Sequence, residues 1–288
     1  MPRLVYTSDL HGDLDLYRAA GEAAVRTRAD ALIFGGDLCP GTPTGASLRL
    51  PIEQPEFILY RLSHLFDMWK EKHPTLRIFA IPGNDDCQTV LPALEELEMN
   101  NLIENVHQET RTLGDYTLLG LSYVPPTPFH LKDFERWDEG PDSDSNSYSY
   151  RCIVGTPHGF EVIDDFQSYL DSLPSLEQEL RRMAVKDPAH TVAIIHTPPF
   201  NTKCDVLFDG RHVGSKAVRH WIEKHQPLLT LHGHIHESPK LSRSFCDRIG
   251  AATVINPGCD HARPHLVFID LDNLAELEHS LYGKITVR

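Results

Sequence analysis

The sequence has few basic residues and no cluster of them. Its 288 residues include 27 Lys and Arg against 41 Asp and Glu, which gives a formal net charge of −14. Proteins that follow nucleic acid backbones or anionic lipid surfaces need clustered positive charge. The composition therefore argues against a nucleic acid groove and against a membrane partner.

The sequence also lacks long apolar runs and closely spaced cysteines. No stretch reaches the roughly 18 consecutive apolar residues of a membrane-spanning helix, and Met1-Pro2-Arg3 leads directly into an apolar run without a signal peptide. The six cysteines are scattered without C-x-x-C spacing, which argues against a disulfide-rich secreted framework. We predict a reduced, cytoplasmic protein, and the sequence leaves its oligomeric state open.

Histidine, in contrast, is abundant. Seventeen histidines favour a metal site, because imidazole is a common ligand of transition metals. Potential ligands occur in five separated segments, S-D-L-H-G, G-G-D, G-N-D-D, I-I-H-T and H-G-H-I-H. The seven residues are Asp9, His11, Asp37, Asn84, His196, His234 and His236. Each one alone has a structural interpretation, such as a helix cap or a turn, but those interpretations do not explain why all five segments occur together.

Each ligand segment follows a short apolar run that is typical of a buried strand. Helical patterns alternate with these runs, which favours an α/β fold. The apolar runs cover residues 4–6, 31–34, 76–81, 192–195 and 228–231, and the first helical patterns cover 14–28, 55–72 and 91–97. Because loops converge at the carboxyl ends of parallel strands, we expect the seven side chains to meet at that edge.

The ordered segments resemble the calcineurin-like metallophosphoesterase superfamily, whose pattern runs D-x-H, G-D, G-N-H-[DE], H and G-H-x-H. The resemblance extends from Asp9 to His236, which is most of the chain. Beyond it, Asn256-Pro257-Gly258 is similar to the N-P-G stretch of some prokaryotic members. The resemblance implies an αββα sandwich, in which helices flank two mixed β-sheets.

We predict a single domain over residues 1–288. Strands at residues 253–255 and 266–269 are expected to complete the second sheet. The charged and serine-rich stretch around residues 130–152 offers little to bury and is predicted to form a surface insertion or lid.

The same resemblance implies two divalent cations and assigns their ligands. Asp37 is expected to bridge the ions, with Asp9, His11 and His236 completing the first site and Asn84, His196 and His234 completing the second. Two ions about 3.5–4 Å apart neutralise phosphate oxygens and lower the pKa of a bridging water. Mixed oxygen and nitrogen ligands suit Mn²⁺ best, while Fe²⁺, Zn²⁺ or Ni²⁺ also fit.

The predicted function is hydrolysis of phosphodiesters or small phosphorylated metabolites, by attack of a metal-bridging hydroxide on phosphorus. The negative net charge does not oppose a phosphorylated substrate, because the two cations supply the local positive field. A phosphomonoesterase is one alternative. A second is a non-catalytic, metal-binding scaffold for protein interactions with the same fold, but such scaffolds lose ligands and all seven are present here.

One position departs from the family pattern. Asn84 and Asp85 are the candidate catalytic residues, but Asp85 stands where the family usually has a histidine that protonates the leaving group or stabilises the transition state. Three explanations are compatible with the sequence. The site holds Asp85 protonated, another histidine such as His130, His158 or His212 enters the pocket, or the leaving group needs no acid.

A second candidate patch precedes the H-G-H-I-H segment. Lys203, Arg211 and His212 are able to contact a phosphate or a base from loops that should border the metals. A polar loop leading into a helix over residues 215–224, with Ser215 as its cap, is an equally good interpretation.

Two aromatic residues flank the proline-rich turn at residues 125–128. Tyr123 and Phe129 are candidates to stack on an aromatic leaving group. Core packing is the better explanation for Tyr123.

Overall fold

The strands that precede the ligand segments are buried on both faces, which explains their continuously apolar sequences. The computed structural model describes residues 2–41, 49–140 and 151–287. In it, β1 (Arg3–Thr7) directs Leu4 and Tyr6 into one apolar cluster and Val5 into another. Strand β9 (Thr191–Ile195) likewise divides its side chains between two clusters. The sheets that contain these strands therefore form the two inner layers of a four-layer fold.

The first sheet has seven strands. Besides β1, they are β2 (Ala31–Phe34), β3 (Arg77–Ala80), β4 (Glu104–Asn105), β13 (Val267–Asp270), β14 (Glu276–His279) and β15 (Gly283–Thr286). Their order is β15-β14-β13-β1-β2-β3-β4, with β1 to β4 parallel to one another. Strand β13 pairs antiparallel with β1, and Val267 lies opposite Tyr6. The prediction that residues 266–269 complete the second sheet was wrong.

The second sheet has six strands. Besides β9, they are β5 (Thr110–Leu113), β6 (Tyr116–Leu121), β10 (Leu229–Leu231), β11 (Cys246–Ile249) and β12 (Ala252–Ile255). Their order is β11-β12-β10-β9-β6-β5, and the four central strands are parallel. A separate two-stranded ribbon contains β7 (Cys152–Thr156) and β8 (Gly159–Ile163).

Helices cover the outer faces of both sheets. On the first sheet, Tyr17 and Trp69 belong to the same apolar cluster as Val5 and Leu32, and on the second sheet Trp221 packs in the cluster that contains Ile195. The helices of the described ranges are α1 (Leu14–Thr27), α2 (Leu50–Phe57), α3 (Ser63–Lys72), α4 (Leu91–Met99), α5 (Phe166–Asp171), α6 (Leu176–Arg182), α7 (Lys216–His225) and α8 (Ser238–Ser242). A π-helical turn, Ile58–Leu62, joins α2 to α3, so the helix predicted over 55–72 begins earlier, at Leu50.

The predicted insertion is in part an integral piece of the fold. Lys132, Phe134 and Glu135 are almost fully buried, contrary to the expectation that this stretch buries little. Residues 141–150, the serine-rich part of the same prediction, lie outside the described residues.

Two structural observations concern membrane spans and cysteine pairing. Within the described ranges, no helix combines the length and the apolar character needed to cross a bilayer. All six cysteines are buried and unpaired.

Candidate metal centre

The two sheets bring all seven predicted ligands together. The ligand-bearing loops follow strands β1, β2 and β3 of the first sheet and β9 and β10 of the second. Ligands that follow strands of the first sheet contact ligands that follow strands of the second. His196 Nε2 lies 3.9 Å from Asp9 Oδ1, and His236 Nε2 lies 3.4 Å from the same oxygen. The site therefore spans the seam between the sheets.

Four of the ligand residues have a left-handed backbone. Asp9, His11, Asp37 and His234 have φ values of 59°, 44°, 50° and 68°. Such conformations are uncommon for residues with a Cβ and cost on the order of 1–3 kcal/mol each. Hydrogen bonds between the loops hold them: the His11 N–H donates to the Asp37 carbonyl at 2.9 Å, and the His234 N–H donates to Asp9 Oδ1 at 2.9 Å. The loops are thus preorganised to point these side chains inward.

The first ligand group consists of Asp9, His11, Asp37 and His236, whose ligand atoms all lie within 4.8 Å of one another. The Nε2 atoms of His11 and His236 are 3.2 Å apart. His11 Nε2 is also 3.8 Å from Asp37 Oδ2. Nitrogen and carboxylate oxygen atoms that converge in this way are a suitable ligand set for a transition metal.

The second group faces the same carboxylate from the other side. His196 Nε2 lies 3.4 Å from Asp37 Oδ2 and 3.1 Å from Asn84 Oδ1, and its ring centroid is 5.4 Å from that of His234. His196 Nδ1 lies 2.9 Å from the Gly35 carbonyl, a contact that orients Nε2 toward the centre. Asp37 Oδ2 is therefore close to both groups, as expected of a bridging ligand.

Burial and charge are compatible with cation binding at this centre. Asp9 Oδ2 is buried and has no hydrogen-bond partner in the described structure. Burial alone would raise the pKa of Asp9, but its hydrogen bond with His236 and the nearby imidazoles hold it well below its usual value. Burial alone would lower the pKa of His196, but Asp37 and Asp9 raise it to about 9. Imidazole protons thus offset two buried carboxylates, and divalent cations can replace those protons.

Asp85 lies at the edge of the first group. Its Oδ2 is 3.5 Å from His11 Nδ1, its Oδ1 accepts a hydrogen bond from Asn84 Nδ2 at 3.1 Å, and its N–H donates to Asp37 Oδ1 at 2.8 Å. Burial, together with the charges of Asp37 and Asp86, raises the pKa of Asp85 to about 8. Of the three explanations for this residue, its burial and its carboxylate neighbours favour a protonated Asp85.

A histidine that was not predicted approaches the first group. The ring of His261 lies 5.1 Å from that of His11 and 5.2 Å from that of His236, and ligand atoms of the three residues fall within 4.8 Å of one another. Its position is set by a left-handed backbone and by contacts of its N–H and Nδ1 with Cys259 Sγ at 3.4 and 3.5 Å. In the sequence, its position three residues after N-P-G is the one available signal.

The N-P-G turn holds the H-G-H-I-H loop. Asn256 Nδ2 donates to the carbonyl oxygens of Cys204, Gly233 and Ile235 at 2.9, 3.2 and 3.1 Å. The Gly258 N–H donates to Asn256 Oδ1 at 2.8 Å, and glycine suits this position because its φ is 71°. The turn thereby clamps the backbone on both sides of His234.

A cavity of about 340 Å³ opens beside the ligand groups. Asp85 and Phe129 line it, whereas Lys203 and Arg211 do not. Its described lining comprises His11, Asp37, Asn84, Asp85, Pro125, Pro126, Thr127, Pro128, Phe129, Leu207, Val213, His234, Ile235, His236 and Glu237.

The other residues proposed for this region lie outside the cavity lining, in the core or at a helix cap. His130, His158 and His212 are not part of the cavity lining, and His212 Nδ1 contacts Asp205 Oδ1 at 2.7 Å. Tyr123 is buried, as predicted for a core residue. Ser215 accepts the Val218 N–H at the start of α7, which confirms the cap.

Comparisons with known proteins agree with this geometry. A family model described as calcineurin-like phosphoesterase matches residues 2–238. The structure of TT1561 of Thermus thermophilus matches with 20% identity and a TM-score of 0.56, covering 100% of this chain and 99% of that chain. A dimetal phosphatase from Danio rerio matches with 11% identity and a TM-score of 0.50, covering 100% and 99%. At these identities the structures show a shared fold. No curated protein was found to match the chain.

Proposed function

Because the chain belongs to the calcineurin-like phosphoesterase family, we propose that it is a dinuclear metal-dependent phosphoesterase acting on phosphodiesters or small phosphorylated metabolites. The main support is the position of Asp37 Oδ2, 3.8 Å from His11 Nε2 in one ligand group and 3.4 Å from His196 Nε2 in the other. Two cations held close together need a shared anionic ligand of this kind.

The residues act mainly by placing and orienting the reacting groups. The seven ligand residues would hold two divalent cations, which would neutralise the phosphoryl oxygens and lower the pKa of the attacking water. Asn84 contacts two residues of the site, because its Oδ1 faces His196 and its Nδ2 donates to Asp85. Glycine at position 83 leaves room for the Asp37 carboxylate, because a Cβ there would lie 2.2 Å from Asp37 Oδ1.

We infer that Asp85 donates the proton that the departing ester oxygen needs. It lines the cavity beside the ligands, and burial and neighbouring carboxylates raise its pKa to about 8. Nearby cations favour the ionised carboxylate and lower this pKa again. We therefore expect slow hydrolysis of alkyl esters, whose leaving groups depend most on an acid.

Hydrolysis of bis(p-nitrophenyl) phosphate and p-nitrophenyl phosphate by the Mn²⁺-loaded protein tests the proposal. We expect metal-dependent hydrolysis that falls by at least about 100-fold in Asp37→Asn, because changes to outer-sphere partners of a metal already cost about 10–100-fold. The ratio of diester to monoester rates then distinguishes the two substrate classes.

Equal activity in Asp37→Asn would indicate a contaminating enzyme. A protein that shows no activity would instead support the alternative of a non-catalytic scaffold with the same fold.

A further inference from the structure

The cavity beside the ligand groups has two apolar walls that come from distant parts of the chain. One wall is the proline-rich turn, with Phe129 at its end, and the other contains Leu207 and Val213. Phe129 is 54% exposed, so its ring is available to a ligand in the cavity. The ring and the metal ligands share one cavity, so a group attached to a bound phosphoryl would reach both.

The proline wall is built on a buried ion pair. Lys132 Nζ lies 2.9 Å from both carboxylate oxygens of Glu135 and donates to the Thr127 carbonyl at 2.7 Å. The Thr127 hydroxyl also donates to Glu135. Neither charged side chain is more than 1% exposed. Because proline fixes φ and the ion pair anchors Thr127 within the turn, the wall is rigid before a ligand arrives.

The opposite wall is held by a buried carboxylate. Asp205 is fully buried and accepts the N–H groups of Asn201, Thr202 and Gly214 at 3.0, 2.8 and 3.0 Å. The Val213 N–H donates to the Asp205 carbonyl at 3.1 Å. These bonds place the apolar side chain of Val213 at the cavity, while Asp205 itself is directed away from it into the loop's own backbone.

The charge of the cavity is one-sided. In the described lining there is no Lys or Arg, and the acidic residues include Glu237 next to the ligand His236. Arg211, one of the candidates to contact a phosphate or a base, is paired with Asp209 Oδ2 at 2.6 Å. Two bound cations would attract one phosphoryl group, but a second anionic group of the substrate would meet Glu237 without a basic partner.

We propose that the cavity selects phosphate esters whose remaining part is apolar and uncharged, with an aryl group as a suitable occupant, over esters that carry a further negative charge. The inference rests on the proposed phosphoesterase function and adds the substrate class. A volume of about 340 Å³ is at the lower end of the range of small-molecule sites and holds an aromatic ring beside a phosphoryl group.

The first test compares two chromogenic diesters with leaving groups of similar acidity. They are bis(4-nitrophenyl) phosphate and bis(3-carboxy-4-nitrophenyl) phosphate, and in the second a carboxylate enters the cavity whichever ring occupies it. We expect kcat/KM of the Mn²⁺-loaded protein to be at least about tenfold higher for the uncharged diester. Glu237→Gln should narrow that preference.

Two phenylalanines provide a matched pair of variants. Phe129→Ala should lower kcat/KM for the uncharged diester by about tenfold, mainly through KM, because the ring contact is lost. Phe208→Ala is the control, since Phe208 is 76% exposed and lies outside the cavity lining. Equal kcat/KM for the two diesters, both hydrolysed with full dependence on Asp37, would overturn the inference and leave the proposed function intact.

A binding experiment covers the case in which neither diester is hydrolysed, an outcome that would argue against a phosphodiesterase but not against hydrolysis of small phosphorylated metabolites. Calorimetry would compare phenylphosphonate with methylphosphonate on the Mn²⁺-loaded protein. Tighter binding of the phenyl compound by about tenfold, lost in Phe129→Ala, would support the apolar cavity. Equal affinities would overturn it.

Discussion

A single side chain separates this site from the family pattern at the scale of the residue. Asp85 takes the place of a histidine, and its carboxyl lies 3.5 Å from His11 Nδ1. A carboxyl in this position is a useful acid only while its pKa stays high, which burial and Asp37 favour and bound cations oppose. Esters whose leaving groups have a high pKa should therefore be hydrolysed slowly at this site.

Asp85→His provides a test of that limit. An imidazole is a better proton donor near neutral pH, so we expect the variant to accelerate hydrolysis of aryl phosphates with poor leaving groups by about tenfold or more. Esters of p-nitrophenol should change much less. A series of aryl esters with graded leaving-group acidity measures this, and a uniform effect across the series would rule out the role of acid for position 85.

The contribution of His261 to metal binding can be measured without measuring catalysis. Its ligand atom is within 4.8 Å of those of His11 and His236, so we expect His261→Ala to weaken Mn²⁺ binding by about tenfold. Titration calorimetry of the metal gives the affinity. His220→Ala is a matched control, because His220 is exposed on α7 and contacts Glu139 away from the ligands. The same loss in both variants would exclude a specific role for His261.

At the scale of the element, the proline-rich turn depends on a buried ion pair. Lys132 and Glu135 are at most 1% exposed, so removing one side chain leaves the other buried without its counterion. The turn should therefore be the part of the structure most sensitive to a charge deletion.

We expect Lys132→Met to lower the free energy of unfolding by about 3–5 kcal/mol. Combining it with Glu135→Leu should recover part of that loss, because no buried charge is left. Arg181→Met, which removes a surface pair with Glu177, should change stability by less than about 1 kcal/mol. Denaturant unfolding measures all three, and a double variant less stable than the single one would contradict the argument.

At the scale of the whole molecule, the ligands belong to loops of both sheets. A metal bound there joins the two halves of the fold and stabilises it by mass action, by about 2.7 kcal/mol at a concentration 100 times the Kd. For a domain of this size we expect Mn²⁺ to raise Tm by on the order of 5–10 °C over protein in EDTA. Asp37→Asn should lose most of this increase. A Tm that does not respond to any divalent metal would contradict the metal centre.

Acid should destabilise the fold through His107. Burial, with Arg136 nearby, lowers the pKa of this histidine to about 3, while its ring packs against Tyr123 and Phe134. The unfolded chain therefore binds more protons than the folded one between pH about 3 and 6.5. This contribution to stability is complete above pH 6.5 and decreases as the pH falls, by about 2 kcal/mol at pH 5.

His107→Gln should be less stable at pH 7 but should lose less stability between pH 6.5 and pH 5. Denaturant unfolding of both proteins in EDTA, where protons do not compete with a metal, measures the difference. Parallel losses in the two proteins would show that His107 does not titrate on unfolding.

The sequence by itself determined the α/β alternation and the positions of the seven candidate ligands, because strands and their ends have local signatures. The αββα sandwich was implied by the resemblance of the ordered ligand segments to the family. A buried strand is a continuous apolar run, and the ligands follow those runs directly. The family match and the two sheets confirm the family and the fold class. The metals, their number and the substrate stay predictions.

The tertiary structure alone decided which residues meet across the chain. The sheet that receives β13, the approach of His261, the burial of Lys132 and the apolar cavity all depend on contacts between residues far apart in sequence. Periodicity shows that a residue is buried, but not which partner covers it. The raised pKa of Asp85 also depends on such long-range contacts, because it arises from burial beside Asp37, 48 residues away along the chain.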